Sequence, residues 1–447
     1  MIEQPRHPTT VHPDWHVQTL GPATVDSPLA LSKIPDDGVP DYVPDGTRIL
    51  YGTELAPGEL PDPSRSFEKA GPRESIFFEP KKTRAGILTA GGLCPGLNNV
   101  IRSLVLNLAH RYGIAEVVGI RYGYAGLDPA SRHPPMILRP NDVQHIHTRG
   151  GTLLGTSRGA HPVSTMVDTL VAQRLDCLFV IGGDGTMRGA HSIAQEITRR
   201  GLPIAVVGIP KSIDNDIPFV DKTFGFDTAI TMARTAIDAA HNEALSVHNG
   251  IGLVKLMGRN AGFIAAHATL ASHEVNLCLV PEVPFEIDGP HGLLSFLATR
   301  LEKRSHAVIV VAEGCGVHLA SSGPRQLDAS GNLDLQAAEL DIGAHLKTRI
   351  TEHFKRAGTP ITLKYIDPSY MLRGVPANAV DSVFCDELAR DAAHAAMAGK
   401  TGVMIGRWHR SFTHVPLSLV ATQQRRLDPD KELWLAVTET TGQPRLV

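Results

Sequence analysis

One unit limits what this chain can fold into: a short apolar run that ends in glycines and opens into residues at helical spacing. Its clearest copy is Val180-Ile181-Gly182-Gly183-Asp184-Gly185-Thr186. Leu175 to Ile181 is apolar and bounded, as in a buried strand, and Ala190, Ile193, Ala194 and Ile197 then recur as on one helix face. Glycines at such a junction leave backbone N–H groups unobstructed, and the positive end of the helix dipole faces any anion placed there. Asp184 stands where a carboxylate could hold the Mg²⁺ that accompanies a nucleotide or diphosphate. A plain strand-to-helix turn with an N-cap aspartate accounts for the same residues equally well. The motif alone does not decide between the two.

The unit recurs. Ala85 to Ala90 reads as a strand, Gly91 to Gly96 as a loop, and Val100, Ile101, Leu104, Val105 and Leu108 as one face of a helix closed by Gly113. Further strands are predicted near Ala115–Arg121 and over Pro203–Ile209, Ile251–Met257, Val275–Val280, Ala307–Ala312 and Ile361–Tyr365. Helices are predicted near 227–245, 260–271, 290–303, 335–357 and 384–398. Strands alternating with helices predict a parallel, doubly wound α/β architecture. Residues 1–80 break the pattern. Thirteen of the 32 prolines fall there and no period is visible, which predicts an irregular extension wrapping the surface. The charges near its end (Arg65, Glu68, Lys69, Arg73, Glu74) read as a solvated surface.

At 447 residues the chain is long enough for two domains. A net charge of −3 with no basic run gives no case for nucleic acid. Five scattered cysteines without a C-x-x-C pair argue against a disulfide framework and fit a reducing compartment. No apolar run approaches the ~20 residues of a membrane span, and the polar N-terminus does not read as a signal peptide. The expectation is a soluble, cytoplasmic protein.

Familiar nucleotide motifs are absent. Ala398-Gly399-Lys400-Thr401 imitates the end of a P-loop, but His394 occupies the first-glycine position, and no G-x-G-x-x-G follows a strand. Chemistry concentrates instead in Pro210-Lys211-Ser212-Ile213-Asp214-Asn215-Asp216, directly after the strand at 203–209. Carboxylates, a lysine and a hydroxyl at the end of a parallel strand lie where α/β sheets bind ligands. Phosphoryl transfer needs a carboxylate to take the proton of the attacking hydroxyl and cations to neutralise the transferring group. Asp214 can be the first, Lys211 and Mg²⁺ the second.

These two segments together resemble the 6-phosphofructokinase family, in its plant-type ATP-dependent branch. The resemblance extends to Gly155-Thr156-Ser157-Arg158-Gly159, Lys255 to Phe263, Pro281-Glu282, Ala312-Glu313-Gly314 and Tyr365 to Arg373. It implies two doubly wound α/β domains with mainly parallel sheets, the active site in the cleft between them, and the N-terminal extension. The boundaries expected are 1–80 for the extension, 81–225 (completed by about 375–447) for the nucleotide side, and 226–374 for the sugar-phosphate side. Gly92, Arg158, Gly159, Gly183, Asp184, Gly185 and Thr186 would surround ATP, with Asp184 on Mg²⁺. Ser212, Ile213 and Asp214 would meet the reacting end of fructose 6-phosphate, Asp214 as proton acceptor. Met257, Gly258, Arg259, Glu313, Tyr370 and Arg373 would hold the sugar phosphate. Arginines suit a bidentate grip on phosphate, and a carboxylate such as Glu313 accepts hydrogen bonds from sugar hydroxyls.

The resemblance also bears on the donor. Glycine at 185 leaves room for the α-phosphate of ATP, where an aspartate would favour diphosphate. Lys211 is common in members that use diphosphate, but plant-type ATP enzymes combine the two. The reading is ATP, with a diphosphate-dependent enzyme as first rival and a silent regulatory subunit as second. An NAD or lipid kinase would share only the Gly-Gly-Asp-Gly-Thr loop. Shorter bacterial members carry an arginine at the position of Gly250, so a substrate site shared between subunits is not implied. A homodimer or homotetramer is expected on family grounds alone.

Overall fold

The computed structural model describes residues 15–318 and 341–446. Among them, two sheets organise the chain. The larger has nine strands, five of them forming a parallel centre in the spatial order Val403–Trp408, Ala205–Pro210, Cys177–Gly182, Arg84–Thr89 and Glu116–Ile120. Cys177–Gly182 and Ala205–Pro210 are buried along their whole length, as parallel strands covered on both faces are. From Arg84–Thr89 the next two strands, Glu116–Ile120 and Met136–Ile137, lie to one side and the later ones to the other, so the winding reverses between Arg84–Thr89 and Cys177–Gly182. A crevice opens at the carboxyl ends of strands at such a reversal. Here its walls are the loop at Gly91-Gly92 and the turn at Gly183-Asp184.

The smaller sheet has four parallel strands in the order Leu277–Leu279, His306–Ala312, Gly250–Leu256, Thr362–Ile366. Its register pairs Leu256 with Ala312. The residues that follow, Met257 and Glu313, therefore leave the sheet side by side. The predicted helices are found at Phe226–Leu245, Phe263–Ser272, Leu293–Arg304, Ile342–Arg356 and Ala379–Met397. Residues 335–340 of the fourth prediction, like residues 1–14 of the extension, lie outside the described residues. None of the described helices is long and apolar enough to cross a membrane.

A buried carboxylate fastens the helices that serve the two sheets. Asp381, in the first turn of Ala379–Met397, is fully buried. It accepts from Gly225 N (2.9 Å), Thr228 N (2.7 Å) and Thr228 Oγ1 (2.6 Å) at the start of Phe226–Leu245. The two N–H groups are ones that the helix itself cannot satisfy. Burial pushes the Asp381 carboxyl above its usual pKa, against those hydrogen bonds.

The N-terminal extension is largely irregular, as expected, but its few short strands join the sheets. Arg48–Leu50 and Ser66–Lys69 add antiparallel strands to the large sheet beyond Ser411–Pro416, and Gln18–Thr19 pairs with Lys400–Thr401. Of its terminal charges Arg65 and Glu74 are exposed as expected, whereas Glu68 and Arg73 are not. Glu68 is 9% and Arg73 3% exposed. Arg73 donates to Glu68 Oε1 (3.0 Å), Asp45 Oδ1 (3.0 Å) and the carbonyl of Lys69 (2.7 Å). Glu68 Oε1 also meets Lys400 Nζ at 2.8 Å and His414 Nδ1 at 3.2 Å. Glu68 can be buried because Arg73, Lys400 and His414 all meet its carboxylate, the last two from the far end of the chain. Beside this cluster, Trp15 and Tyr51 pack on Phe67, Phe219 and Trp408.

The last segment serves both sheets. Val403–Trp408 and Ser411–Pro416 join the large sheet, but the chain then crosses to the small one. Gln443 there receives from Cys278 N (2.7 Å) and donates to its carbonyl (3.1 Å).

Candidate active site

The first wall of the site is the helix start at Asp184. Gly183 is the N-cap of Asp184–Arg199, and Asp184, Gly185 and Thr186 form its first turn. The approach is tight. A Cβ on Gly182 would lie 2.3 Å from Thr186 Cγ2, so only glycine fits there. Tyr124 fixes the turn from behind through a 2.6 Å bond to the Thr186 carbonyl. The Asp184 carboxylate accepts from Arg188 through Oδ1 and from Gln424 Nε2 through Oδ2 at 3.1 Å.

The neighbouring strand Ala205–Pro210 delivers Lys211 to Asp216. Lys211 is 6% exposed and donates to the Gly92 carbonyl at 2.7 Å, so it ties the turn that ends at Asp216 to the first glycine loop. Burial lowers its pKa against the pull of nearby groups such as Asp216 and Asp214. Ser212 Oγ donates to Asp216 Oδ1 at 2.6 Å, while Asp214 Oδ1 is buried with no hydrogen-bond partner. Burial raises the Asp214 pKa well above the usual carboxylate range, and Asp216 and Glu313 add to it while Arg259 and Lys211 oppose. The Ile213 side chain belongs to the core at 6% exposure, so this residue offers a ligand its backbone only.

The second wall is the carboxyl edge of the small sheet. Gly258 has φ 128°, and a Cβ there would sit 2.6 Å from the Ala261 carbonyl. Gly314 N bonds the Gly258 carbonyl at 3.1 Å and joins the Met257-Gly258-Arg259 loop to Glu313. Burial lifts the Glu313 pKa, with Arg259 opposing. After Thr362–Ile366, Asp367 accepts from Ser369 N (3.1 Å) and pairs with Lys255 (2.8 Å). That pairing seats the short helix Ser369–Arg373. Tyr370 is 74% exposed at its start, with the Arg373 guanidinium 4.9 Å from its ring centre.

The first glycine loop faces the short helix Ser369–Arg373. Gly91, Gly92, Thr156, Ser157, Arg158, Tyr370, Arg373 and Gly374 line one open cleft of ≈ 480 Å³. A Cβ on Gly92 would lie 3.6 Å from Arg158 and 3.9 Å from Arg373. Arg158 is exposed and Gly159 follows it with φ 121°. Arg158 and Arg373, assigned to different ligands on sequence, thus share the cleft. Sequence reasoning missed Arg188, Gln424, Arg425 and the Lys255–Asp367 pair. A basic residue four positions after Asp184 was the available signal for Arg188; Gln424 and Arg425 had none, lying beyond every motif.

Among the described residues, no group of three His, Cys, Asp or Glu forms a metal cage. Mg²⁺ characteristically takes one or two carboxylates and completes its shell with phosphate oxygens and water. Asp184 at a helix start, near enough to Asp216 to raise its pKa, is a donor set of that kind.

Comparison with known proteins agrees with this geometry. The family model described as Phosphofructokinase matches residues 84–396. The ATP-dependent 6-phosphofructokinase of Amycolatopsis methanolica is 47% identical over 96% of this chain and 95% of its own. That of Borreliella burgdorferi is 46% identical over 96% and 97%. ATP-dependent 6-phosphofructokinase 7 of Arabidopsis thaliana is 45% identical over 92% and 81%. Among solved structures, the pyrophosphate-dependent phosphofructokinase of Marinobacter aquaeolei superposes with TM-score 0.64 over 78% of this chain and 86% of its own, at 21% identity.

Proposed function

The chain belongs to the phosphofructokinase family, and we propose on that premise that it transfers the γ-phosphoryl group of ATP to the 1-hydroxyl of fructose 6-phosphate, giving fructose 1,6-bisphosphate and ADP. The observation that carries the reading is the Asp214 carboxylate, whose Oδ1 is buried with no hydrogen-bond partner and whose pKa responds to Arg259 and Glu313, in a chain whose relatives at 45–47% identity are named ATP-dependent 6-phosphofructokinases.

Asp214 takes the proton of the 1-hydroxyl. A carboxylate raised by burial is a stronger base once ionised, and its pKa moves towards the operating pH, where general bases work best. Ser212 occupies Asp216 and so leaves Asp214 Oδ1 to the substrate. Arg259, Tyr370 and Arg373 hold the 6-phosphate, Glu313 accepts from the sugar hydroxyls, and Met257 and Gly258 give the loop its shape. The N–H groups from Gly183 to Thr186, with Gly92, Arg158 and Gly159, bind ATP as a helix start binds phosphate. Asp184 would hold Mg²⁺, which when bound neutralises charge on the phosphates. Lys211 supplies a fixed cation beside Gly92.

Gly185 favours ATP as donor, and Lys211 is compatible with diphosphate. Initial rates with fructose 6-phosphate and Mg²⁺, comparing ATP with diphosphate, test this directly. Turnover with ATP is the expected result, and turnover with diphosphate alone would overturn the donor. As parts of the same reading, the reaction serves glycolysis in the cytoplasm, and the enzyme is a homo-oligomer. Five buried, unpaired thiols accord with a reducing compartment.

A further inference from the structure

Residues beyond the family match at 84–396 reach into the site. After Leu417–Val420 the chain leaves the large sheet and crosses the cleft before its final helix Glu432–Thr441. On the way it touches both walls. Gln424 Nε2 donates to Asp184 Oδ2 at 3.1 Å. The next residue, Arg425, bonds Asp216 O through its backbone N (3.0 Å), and its guanidinium donates to the carbonyls of Val220 (3.0 Å) and Asp221 (2.9 Å). The same guanidinium lies 4.9 Å from the ring centre of Phe263, at the start of a small-sheet helix. Leu427 N then bonds Glu282 Oε1 (2.8 Å), a carboxylate that also holds Gly262 N (3.0 Å).

We propose that the segment from Thr422 to Leu427 is a working part of the active site, in which Gln424 is the positioning residue for the Asp184 carboxylate and Arg425 for the turn that carries Asp214 and Asp216. The inference rests on the reading of Asp184 as the carboxylate for the metal of the nucleotide. Two different elements hold its two oxygens. Arg188 comes from the helix that Asp184 begins, and Gln424 comes from the crossing segment. With both held, the carboxylate cannot rotate, and its remaining lone pairs keep one direction. The chemistry of position 424 matters as well. A neutral amide restrains an oxygen without cancelling its charge, whereas a second cation would compete with the metal. Outer partners of this kind orient the groups that ligate, and their loss costs about 10–100-fold in metal affinity or activity.

Arg425 does for the catalytic turn what Gln424 does for Asp184. Residues 216–221 form no strand or helix of their own, and Phe219 within them has φ 62°. The two carbonyls that Arg425 holds are those immediately following it. Because Arg425 also packs on Phe263, the position of the turn is tied to the small sheet.

The test is Mn²⁺ binding to the full-length enzyme with ADP, read by electron paramagnetic resonance, alongside steady-state kinetics. Gln424→Ala is expected to weaken Mn²⁺ binding about 10-fold and to raise the Mg²⁺ concentration for half-maximal rate by about the same factor. KM for fructose 6-phosphate and the melting temperature are expected to stay at wild-type values. Arg425→Met keeps the packing on Phe263 but removes the donors, and is expected to lower kcat about 10-fold with KM unchanged and with partial recovery in Arg425→Lys. Wild-type Mn²⁺ affinity in Gln424→Ala would overturn the proposal, as would a loss matched by an equal rise in KM for fructose 6-phosphate. The Mn²⁺ measurement needs no turnover. A wild-type protein that fails to phosphorylate fructose 6-phosphate would refute the proposed function while leaving this test decisive.

Discussion

Ser212 and Asp216 share a 2.6 Å hydrogen bond within one turn, and it separates the roles of two neighbouring carboxylates. Asp216 is engaged by a hydroxyl. Asp214 has a buried oxygen with nothing to accept from, in a setting that raises its pKa. Of the two, Asp214 is the one arranged to take a proton.

Replacing it tests that assignment. Asp214→Ser is expected to lower kcat by a factor on the order of 10² or more, with the fold intact by circular dichroism. The wild-type profile of kcat/KM against pH should lose activity on acidification well above the ~3.9 of an ordinary aspartate, since the base works only when ionised. Near-wild-type turnover in the mutant would remove Asp214 from the mechanism.

At the helix start, Gly185→Asp adds bulk and negative charge beside the N–H groups assigned to ATP. The rate with ATP should fall far more than any rate with diphosphate. Equal losses with both donors would refute the steric account of Gly185.

Arg259→Lys keeps the charge but gives up the planar fork that binds phosphate through two parallel bonds. KM for fructose 6-phosphate should rise about 10-fold, the equivalent of roughly 1.4 kcal/mol, with KM for ATP unchanged. A shift in the ATP constant instead would move Arg259 to the nucleotide side.

Glu68→Gln concerns stability, far from the chemistry. Removing one partner of a buried ion cluster costs about 3 kcal/mol, measurable by denaturant unfolding at pH 7. The Glu68 pKa is lowered in the folded protein: burial opposes this, and His414 and Lys400 overcome it. The native state therefore binds fewer protons than the unfolded state, and the stabilisation is complete above the unfolded value near 4.5. As the pH falls below that value towards the folded pKa, it is lost. Wild type and mutant should thus converge on acidification, and a difference that stays constant with pH would contradict the assignment.

The strand ends that build the site were legible because each is an apolar run closed by glycine or proline, and the helices after them keep one apolar face. Pro210 to Asp216 could be read locally for the same reason: several charges directly after a buried strand have few structural explanations. The extension could not be read this way. Its strands run to four residues at most, too short to show a period, and two of the partners that let Glu68 be buried, Lys400 and His414, lie more than 300 residues later. Gln424 is hidden for a similar reason. It meets Asp184 across 240 residues of chain, and a glutamine in a polar stretch has no local signature.

Asp381 sets the mechanics of the cleft. Three short hydrogen bonds converge on a carboxylate with no access to water, and sliding one helix past the other would break all three together. Relative displacement of the two helices is therefore resisted at this one residue, inside the protein and away from the cleft mouth, where Tyr370 stands exposed.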